Sequence, residues 1–141
     1  MAINLNAVGQ VALMVRSADA SEAFYGGVLG LRKLFRFGGL AFYDMAGVRL
    51  LLDQVAEGAP VEHGAVLYFR VADIVTTRAA LAARGLTFTD RIHLTAPMED
   101  HDLWMTFFKD PDAHILALMM EAPKGWRPAE GPHVLLPERP L

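Results

Sequence analysis

Val11-Ala-Leu-Met-Val15, a short polar stretch, an apolar run from Ala20 to Leu29, Gly30-Leu31 and later Val48-Arg-Leu-Leu-Leu52 form a pattern that this chain writes twice. The second copy runs Leu67-Tyr-Phe-Arg-Val71, Asp73, an Ala-rich stretch from Ile74 to Arg84, Gly85-Leu86 and Ile115-Leu-Ala-Leu-Met119. A repeat of this length predicts two pseudo-symmetric modules. Asp19 is placed to cap a helix with Glu22 at its third position, and Gly30 suits the left-handed residue past its end; Asp73 and Gly85 repeat that punctuation. Runs of four to seven residues rich in Val, Leu, Phe and Tyr, bounded by Gly, Asp or Pro, read as strands around these helices. Each module therefore reads β-α-β-β-β.

In the first module, 8–54, the strands are expected near 10–15, 32–37, 40–45 and 48–53, with Gly38-Gly39 and Ala46-Gly47 as tight turns. In the second, 65–121, they are expected near 66–71, 87–94, 103–109 and 114–120, with Asp110-Pro-Asp-Ala113 as the last turn. Residues 55–64 join the two. Residues 1–121 are expected to form one domain of paired modules. From 122 to 141 the character changes, because five of the eight prolines fall there. Regular structure is not expected in that tail, yet Trp126, Val134, Leu135 and Leu136 are too apolar to be left wholly in water, so part of it should pack on the body or on a neighbouring subunit.

Composition narrows the function. The chain has 141 residues, enough for one domain with a real core. A net charge of −3 and thirteen scattered Lys and Arg argue against nucleic acid as a partner, since a polyanion needs a basic face. The absence of cysteine excludes disulfides, thiolate metal sites and a Cys nucleophile. No basic segment precedes an apolar N-terminal run, and no apolar stretch approaches the ~20 residues of a membrane helix, so no membrane association and a cytoplasmic location are expected.

Three groups of residues, taken in order, resemble the vicinal oxygen chelate superfamily, which includes glyoxalase I, extradiol dioxygenases, methylmalonyl-CoA epimerase and bleomycin-resistance proteins. The first is Val11-x-Leu13-x-Val15 with Ser21-Glu-Ala-Phe-Tyr25 and Leu29-Gly-Leu31. Then come Phe69-x-Val71-x-Asp73-Ile74 and Phe107-Phe-Lys-Asp-Pro-Asp-Ala-His114. The resemblance spans residues 8–121 and implies an α+β fold, two βαβββ modules forming a curved mixed sheet around a cleft. It also implies that a homodimer is common in chains of this length. Enzymes of the superfamily hold a divalent metal on the first and last strands of each module. The matching positions here are Gln10, Leu51, Val66 and Ala117, of which only Gln10 has a donor, whereas such a site needs three or four. His114 and Asp53 stand nearby without completing a set. The resemblance therefore implies a member without the usual metal ligands, and no cofactor is expected.

Strand alternation puts residues two apart on one face. With Gln10, the inward face that the resemblance implies would take Ala12 and Met14, Arg49 and Asp53, Tyr68 and Arg70, and Ile115 and Met119. That is an apolar surface with a few polar groups, the usual make-up of a small-ligand site. Arg49 and Arg70 either pair internally, for instance with Asp53, or meet a carboxylate or phenolate ligand. The segment from Arg91 to Met105 concentrates His93, His101 and three carboxylates, and its plain reading is a solvated hairpin loop at 97–102. Its chemical reading is acid/base catalysis by His93 and His101, or a displaced metal. Trp104 and Phe107 have opposite parities, so at least one should face the cleft. No role is assigned to His63 or His133.

The leading expectation is a metal-free protein that binds a small apolar or aromatic molecule through Gln10, Met14, Arg49, Tyr68, Arg70, Trp104 and Phe107. The competing expectation is an isomerase, lyase or dioxygenase-like enzyme that uses His93 and His101. A third is a structural dimer, with both arginines paired internally.

Overall fold

The computed structural model describes residues 2–137. The chain folds as two compact units, residues 1–65 and 66–141, which divide where the two copies of the pattern meet.

In the first unit, β1 (Gln10–Val15) leads into α1 (Ala18–Glu22), a π-helical turn (Ala23–Val28), β2 (Arg32–Phe37), β3 (Leu40–Met45) and β4 (Val48–Gln54). The sheet order is β1-β4-β3-β2, with β1 parallel to β4 and the other pairs antiparallel. Leu13, Val15, Ala41, Tyr43, Leu50 and Leu52 are buried on one face, with Tyr25 of the helical segment among the buried residues. Gly26 allows the close approach of helix and sheet, because a Cβ there would lie 3.0 Å from the Tyr43 hydroxyl. Ala46 and Gly47 both have positive φ, 51° and 94°, the conformation a two-residue hairpin demands.

The helix start differs from the expectation. Ser17, not Asp19, is the cap: it is extended, and its hydroxyl accepts from Ala20 N at 3.1 Å. The reason lies in the neighbouring strand, where Gln54 Oε1 accepts from Ala18 N at 2.8 Å and so satisfies another early amide. Asp19 and Glu22 are thereby released to the surface, where both pair with Arg36 and Glu22 also meets Lys33.

In the second unit, β5 (Leu67–Arg70), α2 (Ile74–Ala83), β6 (Ile92–Pro97), β7 (Asp102–Lys109) and β8 (Ile115–Ala122) repeat the order, and β9 (Val134–Leu135) is added. The sheet runs β5-β8-β7-β6-β9. Asp73 caps α2 as expected, accepting from Val75 N and Thr76 N, and Gly85 closes it at φ 93°. The strand expected at 87–94 instead begins at Ile92. Ahead of it the chain makes only a bridge at Phe88. The Asp90 side chain takes the Phe107 amide at 2.7 Å, in place of a strand carbonyl.

The tail also departs from the expectation of irregular structure. β9 lies parallel to β6, pairing Val134 with Ile92 and Leu135 with His93. Trp126 meets Trp104 edge to face, with ring centroids 5.6 Å apart. Glu138, Arg139, Pro140 and Leu141 lie outside the described residues.

Asp102 latches this tail. Its carboxylate accepts from Lys124 Nζ at 2.8 Å and from Gly125 N at 3.0 Å, while Lys124 also donates to the Met98 carbonyl. The hydrogen bond from Lys124, then that from Gly125, holds the Asp102 carboxyl below the usual carboxylate range. A carboxyl depressed by folding contributes stability above its unfolded pKa, about 3.9 for Asp, and loses it as pH falls through the folded value. The latch should therefore hold at neutral pH and release on acidification below that range, with a change in Trp126 emission. Asp102→Asn should show the altered emission already at pH 7. A wild-type signal that stays flat down to pH 2 would contradict the latch.

Candidate functional site

The two sheets share one design. Ala12 pairs with Leu51 in the first, and Tyr68 with Ala117 in the second. The next strand places Phe42 beside Leu51 and Phe107 beside Ala117. In the first sheet these residues lie on the face opposite the buried side chains named above, and in the second on the face opposite Trp104, Thr106, Phe108, Leu116 and Leu118, all buried. Leu51 and Ala117 thus occupy equivalent positions, one on each open face, and neither carries a donor atom. With Val66 at the start of the second unit, three of the four positions that would hold a divalent metal are aliphatic. Among the described residues no three His, Asp or Glu side chains converge. The donor set does not fit a metal, and no chemical step is derived through one.

On the first sheet the open face carries Gln10, Met14, Arg49, Asp53, Phe42 and Phe35. Gln10 and Arg49 are exposed. The Arg49 guanidinium sits 5.8 Å from the centre of the Phe42 ring, so its partner is an aromatic face and not the Asp53 carboxylate suggested by the sequence. Phe42 and Phe35 stack at 4.3 Å.

The second sheet's open face is aromatic as well. Tyr68, 48% exposed, meets Phe107 edge to face at 6.0 Å, and His93 lies nearly parallel to Phe107 at 6.2 Å. Met105, Met119 and Arg70 continue the same row, because His93 pairs with Met105, Met105 with Met119, and Met119 with Arg70. Arg70 is exposed and forms no ion pair among the described residues. At the β5 end a hollow of about 430 Å³ opens. Val66, Tyr68, Phe107 and Ile115 give it apolar walls, and Thr89, Asp90 and Lys109 supply polar groups.

Asp90 organises this end of the face. Its Oδ1 accepts from Phe107 N at 2.7 Å and from Thr106 Oγ1 at 3.1 Å; its Oδ2 stands 3.4 Å from His93 Nδ1. Arg78, from α2, donates to the Asp90 carbonyl at 2.8 Å and to Thr106 Oγ1, with its guanidinium over the Phe88 ring. Burial pushes the Arg78 pKa down and the Asp90 charge opposes it. Helix, loop and strand are thereby tied at one point behind Phe107.

Of the residues singled out in the sequence, Tyr68, Arg70, Phe107 and His93 come together on this face. Trp104 does not: it is 1% exposed, on the other side of β7 with Thr106 and Phe108, and packs against Trp126. It is a core residue, and the expectation that it contacts a ligand is corrected. His101 lies in the loop that closes the β6–β7 hairpin, its Nδ1 2.7 Å from Asp100 Oδ1, a contact that draws the Asp100 pKa down. Four ladder positions, roughly 13 Å of strand, separate the His93 level from that loop. The two histidines do not form an acid/base pair. Sequence reasoning missed Asp90, Thr89 and Lys109. Asp90 stands three residues before His93 and could have been found by that spacing.

The fold and this face together define a class: an α+β protein of two repeated β-α-β-β-β units, each presenting one open sheet face. The chain belongs to the glyoxalase/bleomycin resistance protein/dioxygenase superfamily, whose model matches residues 7–118. Solved structures with the same fold include a lactoylglutathione lyase from Agrobacterium tumefaciens, 21% identical over 83% of this chain and 95% of that one, with a TM-score of 0.64. A glyoxalase/bleomycin resistance protein/dioxygenase from Nocardioides is 20% identical, covering 92% and 91%, with a TM-score of 0.68. A virulence protein from Salmonella typhimurium is 14% identical, covering 85% and 100%, with a TM-score of 0.70. At these identities the likeness is one of fold, which does not fix activity. No curated protein matches the chain in sequence. Among the described residues no helix is long and apolar enough to cross a membrane.

Proposed function

We propose that this chain is a metal-free binding protein for a small apolar or aromatic molecule. The observation that carries this reading is the hollow beside Tyr68 and Phe107, walled by apolar side chains and edged by a few polar groups. Arg70, on the same face and without an ion-pair partner among the described residues, is available to a ligand, which counts against a purely structural role. No cofactor is required, and no nucleic acid or membrane is proposed as a partner. The working location is the cytoplasm. A homodimer is proposed on the apolar side chains of edge strand β2, where Phe37 is 73% exposed and Phe35 and Leu34 lie beside it.

The enzyme alternative would rest on His93 alone for proton transfer, since His101 is turned to Asp100. Binding without metal is tested by elemental analysis of protein purified without affinity tag or chelator, with 1-naphthol titration in the presence and absence of chelator. The expected result is no stoichiometric metal and an affinity that does not change with chelator. Near-stoichiometric Mn, Fe, Ni or Zn that survives dialysis would overturn the reading in favour of an enzyme.

A further inference from the structure

We infer that His93 presents a hydrogen-bond acceptor to the ligand and that the ligand class is therefore a neutral hydroxylated aromatic, an inference that rests on the binding role proposed above. Nδ1 of His93 lies 2.8 Å from the Arg91 carbonyl oxygen. A carbonyl oxygen can only accept, so the hydrogen of the neutral imidazole sits on Nδ1 and the lone pair on Nε2. The Asp90 carboxylate favours the same tautomer, with Oδ2 3.4 Å from Nδ1. That carboxylate is itself fixed, because its other oxygen is held by the Phe107 amide and the Thr106 hydroxyl. Nε2 has no partner among the described residues, and the side chain is 27% exposed.

The acceptor stands beside an aromatic surface. The imidazole is inclined only 17° to the Phe107 ring, and Tyr68 meets the same ring at 81°. A flat ligand seated on Phe107 and Tyr68 finds an uncharged acceptor next to it, which an O–H group satisfies and an ether cannot. The hollow shares Phe107 and Tyr68 with this surface but does not include His93 in its lining, so the acceptor stands at the other side of the Phe107 ring. Arg70 lies further along the face, in the Met119 row. A neutral O–H suits the Nε2 lone pair better than a carboxylate, which has no hydrogen to donate to it.

Two measurements test the inference. The tautomer of His93 is read on the wild-type chain from long-range ¹H–¹⁵N correlations of its ring, with Nδ1–H expected. Affinities for 1-naphthol and 1-methoxynaphthalene are then compared in wild type and His93→Phe, which keeps a ring and removes the acceptor. Wild type should prefer the naphthol about tenfold, the scale of one satisfied hydrogen bond. The variant should lose that preference while its affinity for the ether changes by less than about twofold, as expected if only the hydrogen bond is removed. A ring hydrogen on Nε2, or a preference that survives in His93→Phe, overturns the inference and leaves the binding role standing. Failure of both compounds to bind wild type overturns the binding role and this inference with it.

Discussion

Phe107→Ala should weaken 1-naphthol binding about 30-fold or more, while leaving the thermal transition nearly in place. Truncating an aromatic anchor at the centre of a site commonly costs about 2 kcal/mol or more, and 1.4 kcal/mol is tenfold. Phe107 has that position, with Tyr68 on one side, His93 on the other and Ala117 beside it in the ladder. Its backbone does not depend on its ring: the amide is held by Asp90, and the carbonyl accepts from Thr89 N and Thr89 Oγ1. The strand should therefore keep its path when the ring is removed. Isothermal titration of both proteins, with a melting curve for each, checks the split. An affinity within twofold of wild type would show that the ligand does not sit on this face.

The repeat was legible because it is written in local chemistry. Alternating apolar residues, Asp73 ahead of a helix and Gly85 behind it each act over a few residues. The open face was legible in part for the same reason: strand parity put Tyr68 with Arg70 and Ile115 with Met119, and the family resemblance put the two pairs on one side. What parity could not settle was which side each residue of β7 takes, since Trp104 and Phe107 are both large and aromatic. That choice depends on what covers the far side of the sheet, and the cover includes Trp126 of the proline-rich tail. The role of Asp90 was hidden in a similar way. In sequence it is one acidic residue before a strand, and only the approach of β7 and α2 makes it the point at which Phe107, Thr106, Arg78 and His93 are tied. Ser17 displaced Asp19 as a cap because of Gln54, thirty-six residues ahead of Ala18 in the chain. Residues far apart in the chain settled each of these points.

Trp104→Ala should destabilise the second unit by about 3–5 kcal/mol, the usual loss when a fully buried aromatic is cut to a methyl group. The indole is 1% exposed, and its removal would leave a cavity against Trp126. Trp104→Phe should cost far less than the lost volume implies. The indole Nε1–H is buried with no hydrogen-bond partner among the described residues, and such a donor carries a penalty of about 1–3 kcal/mol that phenylalanine does not. Relief of that penalty opposes the loss of packing, so the two substitutions should separate widely in urea unfolding. Neither effect should reach the ligand directly, because Trp104 and Phe107 leave β7 on opposite faces. Trp104→Phe should therefore bind 1-naphthol as wild type does, whereas Phe107→Ala should not. If Trp104→Phe instead lost affinity with its stability unchanged, Trp104 would return to the ligand-contacting set, and the assignment of faces along β7 would have to be reversed.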